Sequence, residues 1–173
     1  MSDSLLPSAP SLDEPLEILE ACHGRIESQL QTLARLLDHL PQHGADTQAR
    51  QAATAVLRYF NTAGNNHHAD EEENLFPLLR LRAGDQPRTE ALIAELLHDH
   101  EQMTVARTIV LAQLERVTGG DAAALLRADV ESMSAIYRAH IAHENTELLP
   151  LAARVLTPDD QQNLSRAMTA RRE

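Results

Sequence analysis

The chain of 173 residues is long enough for one domain with a buried core, and its apolar fraction of 43% is ordinary for a globular protein. Aromatic residues make up only 2% of the chain and tryptophan is absent, a composition that favours helices over sheets. The net charge of −11 argues against nucleic acid as a partner, because its phosphates would be repelled, and suits a protein that attracts cations.

The single cysteine, Cys22, excludes an intrachain disulfide and fits a reducing compartment. We interpret it as a small buried hydrophobe rather than a reactive thiol. No signal-type run opens the sequence, and no apolar stretch reaches the roughly 18 residues that a membrane-spanning helix needs. We therefore expect a cytoplasmic protein that has no membrane partner.

The first half of the chain predicts an arm and two helices. Residues 1–11 are rich in serine and proline and predict a flexible N-terminal arm. The first helix is expected from about Pro15 to Pro41, with apolar residues at alternating steps of three and four, the pattern of a helix-bundle interface. A second helix is expected from about Asp46 to the region of Pro77, with Leu78 among its core-facing residues and a weak point at residues 64–66.

The second half predicts two more long helices. The third follows Pro87 and ends at Gly119, and the fourth comes next with Leu126 as its first core-facing residue. Thr157 suits the N-cap of a short fifth helix that ends near Met168. We therefore predict an all-α, antiparallel up-down-up-down four-helix bundle over residues 12–155, followed by a short C-terminal helix and tail over residues 156–173.

A histidine–glutamate pair occurs twice in the chain. His67 and Glu71 are four residues apart, as are His140 and Glu144, and the second pair repeats the first at an offset of 73 residues. Each glutamate is followed six residues later by a proline. A step of four residues places both side chains on one face of a helix, one turn apart. Each pair can therefore point into the bundle.

One further histidine precedes each pair at a core-facing position. Six polar side chains thus interrupt apolar helix faces, namely His23, His67, Glu71, His100, His140 and Glu144. Burying such groups without partners costs several kcal/mol each, and a metal ion offsets that cost. Imidazole and carboxylate together suit iron, manganese or zinc, and the lack of a thiolate set excludes a finger-type zinc site.

Other histidines have plainer interpretations. His68 and Glu72 are predicted to form a solvated pair, because His68 lies about 100° around the helix from His67. His43 and His98 are likewise predicted to lie at the surface.

Three further residues lie near the second pair. His143 and Glu147 are predicted at the rim of the site, about 60° from the His140 face. Tyr137, one turn before His140, is either core packing or a lid over an open metal position.

The paired motifs resemble a known family. HHADEEENLFP (residues 67–77) and HIAHENTELLP (residues 140–150) resemble the two halves of hemerythrin-like cation-binding domains. The segments ACHGRIESQLQTL and HDHEQM, which contain His23 and His100, resemble the helices that carry the lone histidines. The resemblance covers about residues 12–155 and implies a four-helix bundle with a non-haem di-iron centre. It implies all six residues as ligands, with Glu71 and Glu144 bridging the two metals.

The chain departs from the oxygen carriers of that family. They have five histidines, two of them one turn apart on the third helix, whereas Leu96 and Thr104 occupy the positions one turn from His100 here. Water, Glu101 or Glu72 are the candidates to replace the missing ligand. The departure argues against reversible oxygen carriage. Relatives with four histidines and two glutamates, which are associated with iron-centre repair, nitric oxide response and metal or oxygen sensing, resemble the chain more closely.

Three functions compete at this point. The first is a binding or sensing module with two iron ions, whose partner is a small diatomic ligand or peroxide; manganese or zinc are alternative metals. The second is a di-iron enzyme or an iron-donating repair protein, for which a ferritin-like Glu-x-x-His pattern occurs at Glu20–His23 and Glu95–His98. The third is a metal-free helical interaction protein, which requires hydrogen-bond partners for all six buried polar side chains. The oligomeric state stays open, with a homodimer among the options.

Overall fold

The computed structural model describes residues 14–173. The arm predicted for residues 1–11 therefore lies outside the described residues. Within the described range the elements are helical and no strand occurs, which confirms the all-α class. The elements are α1 Pro15–His43, α2 Thr47–Asn61, α3 Ala63–Asp70, π1 Glu71–Leu75, α4 Phe76–Ala83, α5 Pro87–Thr118, α6 Arg127–His143, π2 Glu144–Leu148, α7 Leu149–Val155 and α8 Pro158–Ala170.

Four rods form the bundle. They are α1, the run from α2 to α4, α5, and the run from α6 to α7. Helix α1 packs on α2 and α6, and α5 packs on the same two helices from the opposite side. Short links between consecutive rods make neighbours antiparallel, which confirms the predicted four-helix bundle. The short α8 packs on α1 and α3, beside the bundle. None of the described helices is both long and apolar enough to cross a membrane.

A polar layer divides the apolar interior into two cores. On α1, Cys22 belongs to one core and Ile26 to the other, and His23 lies between them. On α5, His100 lies at the corresponding level, between Leu96 in one core and Met103 in the other. Apolar packing on both sides removes the intervening side chains from water, so their charges and lone pairs must be satisfied inside the bundle.

The second rod is less regular than the single helix predicted for it. Helix α2 ends at Asn61 and α3 begins at Ala63, so the break falls at Thr62, just before the glycine-containing segment where a weak point was expected. The rod also continues past Pro77 to Ala83.

Wide π-helical turns occur at the same place in both halves of the chain. The turns π1 and π2 begin at Glu71 and Glu144, and their five-residue hydrogen bonds run from the Phe76 N–H to the Glu71 carbonyl and from the Leu149 N–H to the Glu144 carbonyl. One residue separates each turn from a proline, Pro77 in the first half and Pro150 in the second. Because proline donates no hydrogen bond and its ring clashes with the carbonyl four residues back, a wider turn fits there better than an α-turn.

Two core-facing assignments made from the sequence differ in outcome. Leu78 is partly buried and packs against one of the apolar cores, as predicted, but its neighbour Leu79 is fully buried, because the extra residue in π1 rotates the helix after it. The assignment of Leu126 was wrong. Leu126 is 53% exposed, because α6 begins only at Arg127 and Leu126 is the residue before it.

Candidate metal centre

The polar layer contains two groups of side chains that could hold a metal ion. In each group one ligand atom per residue lies within 4.8 Å of all the others. The first group is His23, His67, Glu71 and Glu144, and the second is His68, Glu71, His100 and His140. The structure therefore brings together all six side chains singled out in the sequence, and adds His68. Four different rods contribute them, which only the folded bundle can achieve.

Glu71 lies between the two groups. Its Oε1 atom is 3.1 Å from Nε2 of His67, one turn earlier on the same rod. Its Oε2 atom is 3.4 Å from Nε2 of His100 on α5. One carboxylate oxygen therefore faces each group.

Glu144 is arranged in the same way from the opposite rod. Its Oε2 atom is 2.9 Å from Nε2 of His23 and 3.9 Å from Nε2 of His67. Its Oε1 atom is 3.2 Å from Nε2 of His140. The two glutamates thus stand side by side between two sets of imidazoles.

The protein alone does not provide a hydrogen-bond partner for every nitrogen and oxygen of these side chains. The six predicted side chains are all 4% exposed or less. Within the described chain, both ring nitrogens of His67, Oε2 of Glu71 and Oε1 of Glu144 have no hydrogen-bond partner, because their close neighbours are not aligned for one. The metal-free interaction protein requires a hydrogen-bond partner for every one of these groups, and the unpaired atoms argue against it. Unpaired lone pairs converging in a buried layer fit a bound cation.

The protonation states also suit a cation. Burial lowers the pKa of His67 to about 3, so its imidazole is neutral at neutral pH. Burial and the neighbouring Glu144 raise the pKa of Glu71 well above its usual range. Burial alone would raise the pKa of Glu144, but the nearby imidazoles of His140 and His23, which favour the ionised carboxylate, outweigh it and hold that pKa well below its usual value. A metal ion beside Glu71 would oppose that rise in the pKa of Glu71, because a cation favours the ionised carboxylate.

Hydrogen bonds from outside orient two of the histidines. The Nδ1–H of His100 donates to Oε1 of Glu72 at 2.6 Å, and the Nδ1–H of His23 donates to Oδ1 of Asn145 at 2.7 Å. With Nδ1 protonated, each Nε2 presents its lone pair to the interior. Glu72 and Asn145 are the residues directly after Glu71 and Glu144, so the 73-residue repeat was a signal that could have identified them.

A third such partner is Asp99. Its Oδ2 atom lies 3.4 Å from Nδ1 of His140 and 3.9 Å from Nδ1 of His143. His143 also lies 3.4 Å from the Glu147 carboxylate. His143 and Glu147 therefore lie at the rim, as the sequence indicated, and reach the site through Asp99.

The prediction of a solvated His68–Glu72 pair was wrong. The ring of His68 stacks on that of His100 at 4.1 Å and 17°, and its Nε2 atom is buried without a hydrogen-bond partner in residues 14–173. Glu72 contacts His100 instead, at its outer nitrogen, so it supports that ring and does not replace a missing ligand. The error arose because a bundle helix buries a face at least about 100° wide, which accommodates two adjacent residues.

Two further alternatives are excluded. Glu101 is 82% exposed and lies 3.9 Å from His98, which is itself 65% exposed, so Glu101 was the wrong substitute ligand. The ferritin-like pattern fails as well, because Glu20 is exposed and the half-exposed Glu95 pairs with Arg88. His98 and also His43 lie at the surface, as predicted.

Tyr137 and Cys22 are parts of the packed interior. Tyr137 is 2% exposed, and its ring lies 5.6 Å from Phe60 in an edge-to-face contact and 6.5 Å from His68. Burial raises its pKa to about 12, so the hydroxyl stays protonated. Cys22 is 4% exposed and burial raises the pKa of its thiol, which fits the buried hydrophobe expected from the sequence.

Four rods bring imidazoles and carboxylates together in one buried layer, an arrangement typical of helical proteins that bind cations. The family model described as the hemerythrin HHE cation binding domain matches residues 14–152, and the chain belongs to that family. The chain is also similar to an uncharacterized protein of Haemophilus influenzae, with 31% identity over 161 residues that span 93% of this chain and 91% of that protein. The resemblance noted in the sequence is thereby confirmed.

Proposed function

We propose that this protein holds two iron ions in a non-haem di-iron centre and uses them to bind or sense dioxygen, peroxide or nitric oxide. The six residues His23, His67, Glu71, His100, His140 and Glu144 would hold the ions. Bound iron would supply a redox-active Lewis acid that can bind a small ligand.

The observation that carries the proposal is the position of the two glutamates. Glu71 directs Oε1 to His67 and Oε2 to His100, and Glu144 directs Oε2 to His23 and Oε1 to His140. A carboxylate with one oxygen towards each of two imidazole sets suits a bridge between two cations. Two such carboxylates also balance much of the charge of a dinuclear centre.

The contact between His100 and His140 supports a cation on that side. Their Nε2 atoms are 3.2 Å apart, while their Nδ1 atoms face Glu72 and Asp99. If both Nδ1 atoms carry protons, two lone pairs face each other inside the bundle. A cation bound by both nitrogens removes that repulsion. The donor set of imidazole and carboxylate without thiolate favours iron, with manganese or zinc as alternative occupants.

Burial of the centre favours a ligand of few atoms. The candidate ligands are 4% exposed or less, so a large organic substrate would have to displace core side chains. The chain's own residues hold the site in place: Glu72, Asp99 and Asn145 fix three imidazole rings, and the apolar cores exclude bulk water.

The test is elemental analysis and spectroscopy of protein purified without added metal. We expect two iron ions per chain, and an absorption spectrum of the reduced anaerobic protein that changes reversibly on addition of dioxygen or nitric oxide. The double variant His43→Ala with His98→Ala serves as a control, because both residues lie at the surface, and it should match the parent. Protein that binds no metal even after incubation with excess iron(II) would refute the proposal.

Two further measurements on the same protein distinguish a binding or sensing module from the competing functions. Steady consumption of added peroxide would indicate a di-iron enzyme, and transfer of iron to an apo acceptor protein would indicate an iron donor. Reversible binding without turnover supports the binding or sensing role.

A further inference from the structure

The two halves of the centre differ at one position. The offset of 73 residues relates His67 to His140 and Glu71 to Glu144. Applied to His68, it gives Ile141. Ile141 is a partly buried residue packed against one of the apolar cores, so it offers no lone pair where the first half offers an imidazole. The repeat therefore contains an asymmetry in metal-ligating chemistry.

His68 is positioned to act in the centre. One of its ligand atoms lies within 4.8 Å of the ligand atoms of Glu71, His100 and His140. Its Nε2 atom is buried and has no hydrogen-bond partner in the described chain. A buried imidazole nitrogen that lacks a partner costs free energy unless something takes its lone pair.

We propose that His68 is an additional metal ligand, on the side of the centre formed by His100 and His140. This inference rests on the proposed dinuclear centre. It supplies from the second rod the fifth imidazole that Leu96 and Thr104 cannot supply from α5. The adjacent residues His67 and His68 then serve different ions, and the two ion positions are unequal: three imidazoles face one, and two face the other.

The competing explanation is packing alone. The His68 ring stacks on His100 at 4.1 Å and could serve only to hold that ring. His68→Phe separates the two roles, because phenylalanine keeps a flat ring for stacking but has no lone pair. His68→Ile provides a second variant, since the chain already places isoleucine at the equivalent position 141. Circular dichroism and the unfolding temperature of both metal-free variants establish that they fold.

The experiment measures zinc binding by chelator competition, so that no catalytic activity is needed. Zinc accepts the same imidazole and carboxylate ligands. We expect the parent to bind two ions of different affinity, one of which is released at a lower chelator concentration. In His68→Phe and His68→Ile the affinity for the more tightly bound zinc ion should fall by about tenfold or more. Even the loss of a residue that only orients a ligand lowers metal affinity by roughly 10- to 100-fold. The exposed His98→Phe variant is the matched control and should bind zinc like the parent.

The outcomes distinguish the two proposals. If the parent binds two ions and either folded His68 variant binds both as tightly as the parent, the dinuclear centre stands and His68 is a packing residue only. If the parent takes up fewer than two ions of both zinc and iron, the dinuclear centre itself fails, and the role of His68 fails with it. Weakening in His68→Ile alone, with normal binding in His68→Phe, also assigns His68 to packing.

Discussion

Oε2 of Glu144 lies 2.9 Å from Nε2 of His23, although the two residues are 121 positions apart in the chain. The contact joins the middle of the fourth rod to the first rod. Oε1 of the same carboxylate faces His140 on its own rod. The site thus depends on the correct docking of rods that are distant in sequence.

Removing either central carboxylate should disturb both ions. We expect Glu71→Ala and Glu144→Ala each to lower the metal content from two ions per chain to well below one, because each glutamate faces both imidazole sets. Elemental analysis of purified and reconstituted protein measures this. Glu101→Ala is the control, since that side chain is 82% exposed and lies outside the site. Loss of a single ion, with the other still tightly bound, would contradict bridging.

Removing a histidine ligand should act mainly on one ion. His67→Ala is expected to lower the affinity for the ion on the His23 side, and His140→Ala is expected to lower the affinity for the ion on the His100 side. Each loss should exceed the roughly 10- to 100-fold loss of affinity seen when a ligand's hydrogen-bond partner is removed. Zinc or iron(II) titration monitored by chelator competition measures both constants. The exposed His43 and His98 offer matched histidine-to-alanine controls. Unchanged affinities in both ligand variants would exclude these residues from the ligand set.

Chelation of the metal should lower the unfolding temperature. Metal that binds only the folded state stabilises it by about 2.7 kcal/mol when its free concentration is 100 times the Kd. For a chain of this length that corresponds to roughly 5–10 °C. Thermal unfolding with and without a strong chelator, followed by circular dichroism, measures the shift. The Glu71→Ala variant should show almost none, whereas a parent that melts at the same temperature in both conditions would argue against a bound ion.

The C-terminal arginines should stabilise the segment that carries the first pair. Asp70 is fully buried, and its carboxylate accepts hydrogen bonds from Arg171 at 3.0 Å and Arg172 at 2.6 Å. Replacing both arginines by alanine leaves a buried charge without a partner, which costs about 3–5 kcal/mol. Urea unfolding of the chelated protein measures this cost. The control is Arg166→Ala, whose side chain makes an exposed hydrogen bond to Asn163; an equal loss in that variant would deny the arginines a specific role.

Asp160 should make stability depend on acid pH. Arg82 and the Thr157 cap hold the pKa of this carboxyl well below its usual range. A lowered folded-state pKa contributes stability above the unfolded pKa of about 3.9, and that stability is lost as the pH falls through the folded value. Asp160→Ala should therefore destabilise the chelated protein at pH 7 by about 1–2 kcal/mol. The difference from the parent should shrink as the pH falls from about 5 towards 2, and urea unfolding across this range measures it. A difference that stays constant with pH would contradict the ion pair.

The fold was predictable because local signals agree along the chain. The apolar steps of three and four on α1 and α5 predicted the core-facing side of each helix, and glycine or proline marked most of the ends. The π turns were not predictable from this pattern, because an α-helical period of 3.6 residues does not allow for an inserted residue. That insertion explains why Leu79 is more deeply buried than Leu78.

The sequence by itself determined the chemistry: which residue types interrupt the apolar faces, and that they recur at an offset of 73 residues. Only the tertiary structure decided how they meet. It placed one oxygen of each glutamate towards each imidazole set, and it buried a ring nitrogen of His68, which the sequence had placed at the surface. It also set Glu72, Asp99 and Asn145 against the outer ring nitrogens. The physical reason is that helical spacing fixes the face on which a side chain lies, whereas the distance between atoms on different helices depends on how the rods pack.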